Sequence, residues 1–403
     1  MFQHIQRYPG DPILDLAEKF KQDTRTEKVN LSIGLYHDEN GKVPELLSIR
    51  KAKEIYWNTQ NAASLYLPMA GLASYCSHVQ ELQFGADAKA LQKKRIATIQ
   101  TLGGSGALSI GAFFLKRWFP DATLYVSDPT WENHIAIFEN AGFSVKKYPY
   151  FNADTLEVDF EAMCAFLERL PHGSIVLLHP CCHNPTGCDL TETQWDRLVA
   201  LLQKKQLIPF LDMAYQGLGR GFEKDAYAIR RLEAENMRFL LSYSFSKIFS
   251  LYGERVGALS VVCGDQREAE TVLSQLKVTV RRIYSSPPAF GAHIVNIVLS
   301  DPELKNLWFS ELEAMRTRIV SMRQMLAEEL INAGAEPCDT AYLTRQNGMF
   351  SFANLTTGAV RHLREAYGIY IVGNGRICVA GLNSQNVGYV ATALESLVGQ
   401  ESV

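Results

Sequence analysis

Apolar residues in the middle of the chain come in short unbroken runs rather than in alternation with polar ones. The runs are TLYVSDP (123 to 129), SIVLLHP (174 to 180), LIPFLDMAY (207 to 215), RFLLSYSFS (238 to 246) and VGALSVVCG (256 to 264). Runs of this length predict strands buried on both faces. Between them lie stretches with apolar positions at helical spacing, such as TETQWDRLVALLQKK, whose Thr-x-x-Gln start has the form of a capping box. Strands alternating with helices predict the α/β class: a large domain whose mainly parallel sheet is flanked by helices. Asp128, His179, Asp212 and Ser244 then fall at the carboxyl ends of strands, where such sheets bind ligands.

The rest of the chain reads differently. SELEAMRTRIVSMRQMLAEELINAG predicts one long helix, NGMFSF and GRICVAGL short strands, and VGYVATALESLV a closing helix, which together make a smaller α+β domain. The segment through KVNLSIGLYHDENGKVP holds a strand and a turn with no helix partner, so it is expected to pack with the tail. The expected division is an N-terminal arm and small-domain segment over 1–43, a large domain over 44–313 and a small C-terminal domain over 314–403.

Composition narrows the class without naming a function. The chain has 403 residues, 47% of them hydrophobic, enough for at least one large core. A net charge of −3, with both signs interspersed, offers no stripe for nucleic acid or an anionic membrane. Neither a signal peptide nor a run of eighteen apolar residues is present, so a cytoplasmic protein is expected. The eight cysteines include no CxxC pair and suit a reducing compartment. Cys181, Cys182 and His183 are adjacent, but side chains in an extended segment alternate in direction, so no metal site is expected.

Three constellations carry candidate chemistry. QTLGGSGALSIGAFFLKRWF (100 to 119) sets three glycines and Ser105 just before a helix, which serves either as a tight turn or as an anion site with free N–H groups. It fits neither the dinucleotide fingerprint nor the nucleoside triphosphate loop. HPCCHNPTG (179 to 187) forces a turn in which Asn184 either caps or binds a ligand oxygen. Asp212 ends a buried strand and needs a partner, a salt bridge being the ordinary one. In SFSKIFSLYGERVGA (244 to 258), Lys247 sits among Phe245, Ile248 and Phe249, a setting that desolvates an amine and makes it competent to attack a carbonyl. An amine for a Schiff base, an acid for a ring nitrogen and donors for a phosphate together suit pyridoxal 5'-phosphate.

SFSKIFSLYGERVGA, HPCCHNPTG, DMAYQG, YSSPPAFGA and GRICVAGLN, in this order, resemble the class I aminotransferases of fold type I, in the aspartate and aromatic subgroup. The resemblance implies that Lys247 forms the Schiff base and shuttles the proton, that Asp212 keeps the pyridine nitrogen protonated, and that Tyr215 and Asn184 bond the ring oxygen. It implies that Trp131 stacks on the ring, although composition alone reads it as a core residue. Gly104, Ser105, Ser244, Ser246 and Arg255 would hold the phosphate, with Tyr66 donated by the neighbouring subunit of a homodimer. His134 and His179 would stand behind the acid and the ring. Arg376 would pair with the substrate α-carboxylate, beside Gly34 and Asn184. Arg281 of the neighbouring subunit, rather than Arg282, would receive a distal carboxylate.

Within the subgroup, LSIGLYHDENGKVP, RRIYSSPPAFGA and NGRICVAGLN resemble the aromatic branch, in which Ser286 stands where the aspartate branch tends to carry Asn. The resemblance implies transfer from phenylalanine, tyrosine and tryptophan, and also aspartate, to 2-oxoglutarate. An aspartate aminotransferase with minor aromatic activity is the alternative, ahead of a β-lyase or a non-enzymatic ligand-binding protein on the same fold. Ile283 stands where relatives commonly have Asn, a change that either biases the pocket toward apolar substrates or is neutral.

Overall fold

The computed structural model describes residues 2–7, 10, 12–59, 65–353 and 355–397. The chain forms two compact units, Pro44–Thr317 and a smaller one made of Met1–Val43 with Arg318–Val403.

The larger unit is built on seven strands: β1 (Ile96–Leu102), β2 (Leu124–Asp128), β3 (Val145–Pro149), β4 (Ile175–Leu178), β5 (Ile208–Met213), β6 (Phe239–Ser244) and β7 (Val256–Val262). Their order across the sheet is β1-β7-β6-β5-β4-β2-β3. All run parallel except β7, which is antiparallel to both its neighbours. The five apolar runs read from the sequence are β2, β4, β5, β6 and β7, and the sheet is mainly parallel as expected. The sequence reading did not find β1 or β3. The pattern of β3, with both lysines exposed and Tyr148 buried, is that of an edge strand and carries no continuous apolar run.

The single reversed strand decides where the chemistry sits. Because β7 runs against the rest, the chain enters it at the edge where β1, β5 and β6 finish. Val256 pairs with Leu102, and Gly257 with Ser244. Arg255, just before β7, is thereby delivered beside the end of β1 and the helix Gly103–Trp118 that follows it. The glycines of GGSG lie inside the first turn of that helix, not before it as expected. The capping box on Thr191 and Gln194 forms as the sequence predicts.

The loop carrying Lys247 is anchored by its apolar flanks. Phe245, Ile248 and Phe249 are fully buried. Trp308, on the helix Pro302–Ala333, stacks at 4.4 Å on Phe249 and donates from Nε1 to the Ile248 carbonyl at 2.7 Å. Lys247 itself is half-buried.

In the smaller unit, Val29–Asn30 pairs in parallel with Ile369–Tyr370, and Phe350–Phe352 pairs antiparallel with Arg376–Cys378. Buried Arg323 ties the connecting turns together by donating to the carbonyls of Leu343 (2.9 Å), Gly348 (2.8 Å) and Phe350. One local expectation is corrected: Cys182 has a left-handed backbone (φ 51), so the 181–183 segment is not extended.

Gly257 is where the reversed strand touches the helix start. A Cβ there would lie 2.5 Å from the Gly103 carbonyl carbon and 2.7 Å from the carbonyl oxygens of Gly103 and Tyr243. These are backbone atoms that cannot rotate away. Gly257→Ala is expected to lower the unfolding free energy by about 1–3 kcal/mol in urea titrations, the range for overpacking with backbone displacement.

Candidate active site

Asp212 is the centre of a buried shell of hydroxyls and histidines. It lies on β5 in register with Ser242 of β6, whose Oγ is 3.0 Å from Asp212 Oδ1. His134 donates from Nε2 to Asp212 Oδ2 at 3.0 Å, and its Nδ1 is 2.9 Å from Thr130 Oγ1. His179 follows at a ring separation of 5.1 Å from His134. Burial alone would raise the Asp212 pKa, but the His134 hydrogen bond and charge, with His179 and Ser242, outweigh it and hold the group below its ordinary value. Burial instead pushes His179 down to about 3, so that ring is neutral. The result is an ionised carboxylate, buried, with no lysine or arginine partner among the described residues. Such a group is stabilised by a protonated ring nitrogen placed against it.

A second niche lies at the same edge of the sheet. Gly103 opens its helix with φ +66, and the Arg255 guanidinium lies over it, so that a Cβ on Gly103 would stand 2.7 Å from Arg255 Nη2. Arg255 Nη1 reaches Ser246 Oγ (3.3 Å) and the Tyr252 carbonyl (3.0 Å). Ser244 flanks Gly104, where a Cβ would be 3.2 Å from the serine Cβ. Ser105, half-buried, follows in the same helical turn. A cation held against the positive end of a helix, with unpaired N–H groups and hydroxyls around it, fits an anion such as a phosphate. The two niches therefore suit the two ends of pyridoxal phosphate.

Lys247 and Tyr215 belong to the same unit, the ammonium lying 5.3 Å from the tyrosine ring centre. Tyr215 and Asn184 are buried, and Asn184 precedes Pro185 through a cis peptide bond. Trp131 is partly buried and stands edge-on to His134 at 5.1 Å. Asp128 ends β2, but its side chain turns to solvent and pairs with Lys147 at 2.9 Å, which removes it from the group of ligand-end residues. Tyr66 is 94% exposed. Arg281 and Arg282 are exposed in the last turn of the helix Gln266–Ile283, with Arg281 bonded to the Ser285 hydroxyl and Ile283 also exposed.

In the smaller unit, buried Arg376 donates from Nη2 to the Ser32 carbonyl at 2.6 Å, and its guanidinium lies 4.3 Å from the Phe350 ring centre. Gly34 also approaches that ring, with a Cβ position 2.9 Å from Phe350 Cζ.

The sequence reading missed Thr130, Ser242 and Phe350. The position of Ser242, two residues before Ser244 on one strand face, was the available signal. Two side-chain groups hold potential metal ligands within 4.8 Å of one another: His134, His179 and Asp212; and Cys181, Cys182 and Asp225. Asp225 accepts from the backbone N–H groups of Gly217 (2.8 Å), Gly219 (3.0 Å) and Arg220 (2.8 Å), which is a structural clamp on that turn.

The family model described as aminotransferase class I and II matches residues 26–394. The chain is 55% identical to a tyrosine aminotransferase of Klebsiella pneumoniae and 54% identical to an aromatic-amino-acid aminotransferase of Escherichia coli, each covering 99% of this chain and all of the relative. An aspartate aminotransferase of Pseudomonas aeruginosa is 46% identical over 98% of both. Among solved structures, an aromatic amino acid aminotransferase from Burkholderia cenocepacia superposes with a TM-score of 0.96 at 51% identity, covering 99% of both chains. One from Burkholderia pseudomallei, covalently bound to pyridoxal phosphate, also gives 0.96, at 48% identity over 98% of this chain and 99% of its own.

The neutral state of His179 has a measurable consequence. The unfolded chain protonates this group near 6.5, while the folded chain resists to about 3. Stability is therefore lost as pH falls through that window, by about 1.4 kcal/mol per unit. His179→Gln removes this proton linkage. Urea unfolding of the cofactor-loaded variant is expected to lose about 2 kcal/mol less between pH 7 and pH 5 than the parent does.

Proposed function

The chain belongs to the class I and II aminotransferases, and on that premise we propose that it moves the amino group of phenylalanine and tyrosine, and also of tryptophan and aspartate, to 2-oxoglutarate. The cofactor is pyridoxal 5'-phosphate. The observation that carries the chemistry is the pairing in one unit of a buried carboxylate that has no lysine or arginine partner among the described residues with an anion cradle around Gly103. The aromatic preference is supported by the names of the relatives at 55% and 54% identity; the aspartate enzyme cited stands lower, at 46%.

When bound, the cofactor supplies an electron sink conjugated to the substrate Cα. Lys247 Nζ would hold the cofactor and would take up and return the proton at the substrate Cα. Asp212 stays ionised because His134 and Ser242 bond it, and it holds a proton on the ring nitrogen. Asn184 and Tyr215 bond the ring oxygen, and Trp131 covers the ring face. Gly104, Ser105, Ser244, Ser246 and Arg255 hold the phosphate. In the smaller unit, Arg376 offers a planar fork to the α-carboxylate, oriented by the Ser32 carbonyl and the Phe350 ring.

A homodimer belongs to the same proposal, with Tyr66 and Arg281 entering the neighbouring subunit's site. Supporting it, the large side chains of Tyr66, Leu65 and Trp57 are 94%, 78% and 66% exposed, apolar area that a second subunit would cover. A cytoplasmic location is supported by eight free cysteines. Among the described residues, no helix is long and apolar enough to cross a membrane.

The test is a half-reaction titration, in which the cofactor absorbance is followed as phenylalanine or aspartate is added separately. Conversion by phenylalanine at a rate at least comparable to aspartate is expected, and conversion by aspartate alone would move the protein to the aspartate branch. Lys247→Ala is expected to lose at least about a thousandfold in turnover while remaining a folded dimer, since the proton carrier is gone.

A further inference from the structure

His183 has no part in the chemistry proposed above, yet both its ring nitrogens are engaged. The residue is fully buried. Nδ1 lies 2.8 Å from Thr186 Oγ1, and Nε2 lies 2.8 Å from Ser127 Oγ. Tyr150 stacks on the ring at 4.1 Å and 19°, and His179 meets it edge-on at 4.5 Å. Asp189 accepts the backbone N–H groups of Cys182 (2.8 Å) and His183 (2.9 Å) from the other side. Burial, reinforced by His179 and His134, keeps the imidazole neutral.

A neutral imidazole offers one donor and one acceptor, and the surroundings choose between them. Thr186 Oγ1 accepts from the Cys188 N–H at 3.1 Å and keeps a hydroxyl proton that it can give to His183 Nδ1. In that arrangement the ring proton is on Nε2 and is given to Ser127; in the other tautomer both directions reverse, and either way the ring bridges the two hydroxyls.

These two hydroxyls stand on different segments, a strand end and a turn. Ser127 is the penultimate residue of β2, four positions before Trp131. Thr186 is two positions after Asn184, in the turn that follows β4. Backbone pairing between β2 and β4 stops at Tyr125 and Val176, short of both loops. His183 continues the connection by side chain where the sheet no longer makes it.

We propose that His183 is a positioning residue for transamination: its imidazole fixes the Trp131 loop against the Asn184 turn and so sets how the Asn184 amide bears on the cofactor ring. The proposal rests on the transaminase reading. His183 touches neither cofactor nor substrate in this scheme; it acts through Asn184.

The experiment compares wild-type holoenzyme with His183→Leu, which can neither donate nor accept, and His183→Gln, which can do both. The absorbance of the bound cofactor is titrated from about pH 5 to 9, and the phenylalanine reaction is resolved into kcat and KM. In His183→Leu the titration midpoint is expected to move by about 0.5–1 unit, a threefold to tenfold change in proton affinity. The same variant should lose about tenfold to a hundredfold in kcat, with KM held within about threefold, the signature of a misplaced group rather than lost substrate binding. His183→Gln should recover more than half of both effects.

A residue that only filled space would lower the melting temperature without moving the midpoint. A His183→Leu midpoint within about 0.2 unit of wild type, below the shift that a changed hydrogen bond produces, overturns the proposal. If that variant does not accumulate as folded protein, Ser127→Ala, which cuts only the β2 end, decides by the same midpoint. A wild-type protein with no cofactor absorbance would refute the transaminase reading first, and this inference with it, so the two failures are distinguishable.

Discussion

Two positive ends face each other at the carboxyl edge of the larger unit's sheet: the Arg255 guanidinium and the first turn of the helix that begins at Gly103. Left to themselves they repel, and an anion between them turns the repulsion into two attractions. Much of the local architecture follows from holding them there. The reversed strand β7 brings Arg255 to this edge, where it takes a left-handed backbone (φ 53). Gly103 and Gly257 lack the Cβ atoms that would collide with the guanidinium and with the helix start. A third strand end contributes Ser244 and leads into Ser246.

Asp212 answers this cradle with the opposite sign. Its carboxylate is paired only with groups that hydrogen-bond, namely His134 and Ser242. That choice matters, because a lysine or arginine in the same place would cancel the field that a protonated ring nitrogen needs. His134 and Ser242 hold the acid in its ionised form, and among the described residues no lysine or arginine competes with a ring nitrogen for it. A ligand with an anionic tail and a cationic ring is thus selected by electrostatics at both ends before any shape is considered.

How much of this the sequence disclosed depended on whether a residue acts through its own type or through its neighbours. Lys247 between buried phenylalanines and Asp212 after an apolar run are unusual in type and place, and they stood out. The apolar runs predicted five of the seven strands and the mainly parallel sheet. The edge strand β3 and the reversal of β7 left no mark, because periodicity reports burial and not direction. Ser242 and Thr130 were overlooked because a serine or threonine in a strand or turn is ordinary, and only register shows what it faces. The extended conformation assumed for 181–183 failed for a similar reason: φ at Cys182 is set by the Asp189 clamp on two N–H groups, a contact seven and six residues along the chain. Arg376 would have remained one of 40 basic residues without its motif, since its distinguishing contacts come from Ser32 and Phe350, far away in sequence.

The proposed use of both aromatic and dicarboxylic substrates poses a problem for the arginine proposed to receive the distal carboxylate, Arg281. A guanidinium locked in a closed pocket would cost several kcal/mol whenever an aromatic ring took the carboxylate's place, because it would be left buried and unpaired. Arg281 is exposed and bonded to the Ser285 hydroxyl, with no carboxylate partner among the described residues. A hydroxyl contact is weak enough to break, and the last helical turn favours a cation in either position. Ile283, beside it, offers apolar surface and no competing hydrogen bond. In the proposed dimer, a guanidinium held by a hydroxyl contact alone would be free to meet a carboxylate when one arrives and to turn aside when a ring does.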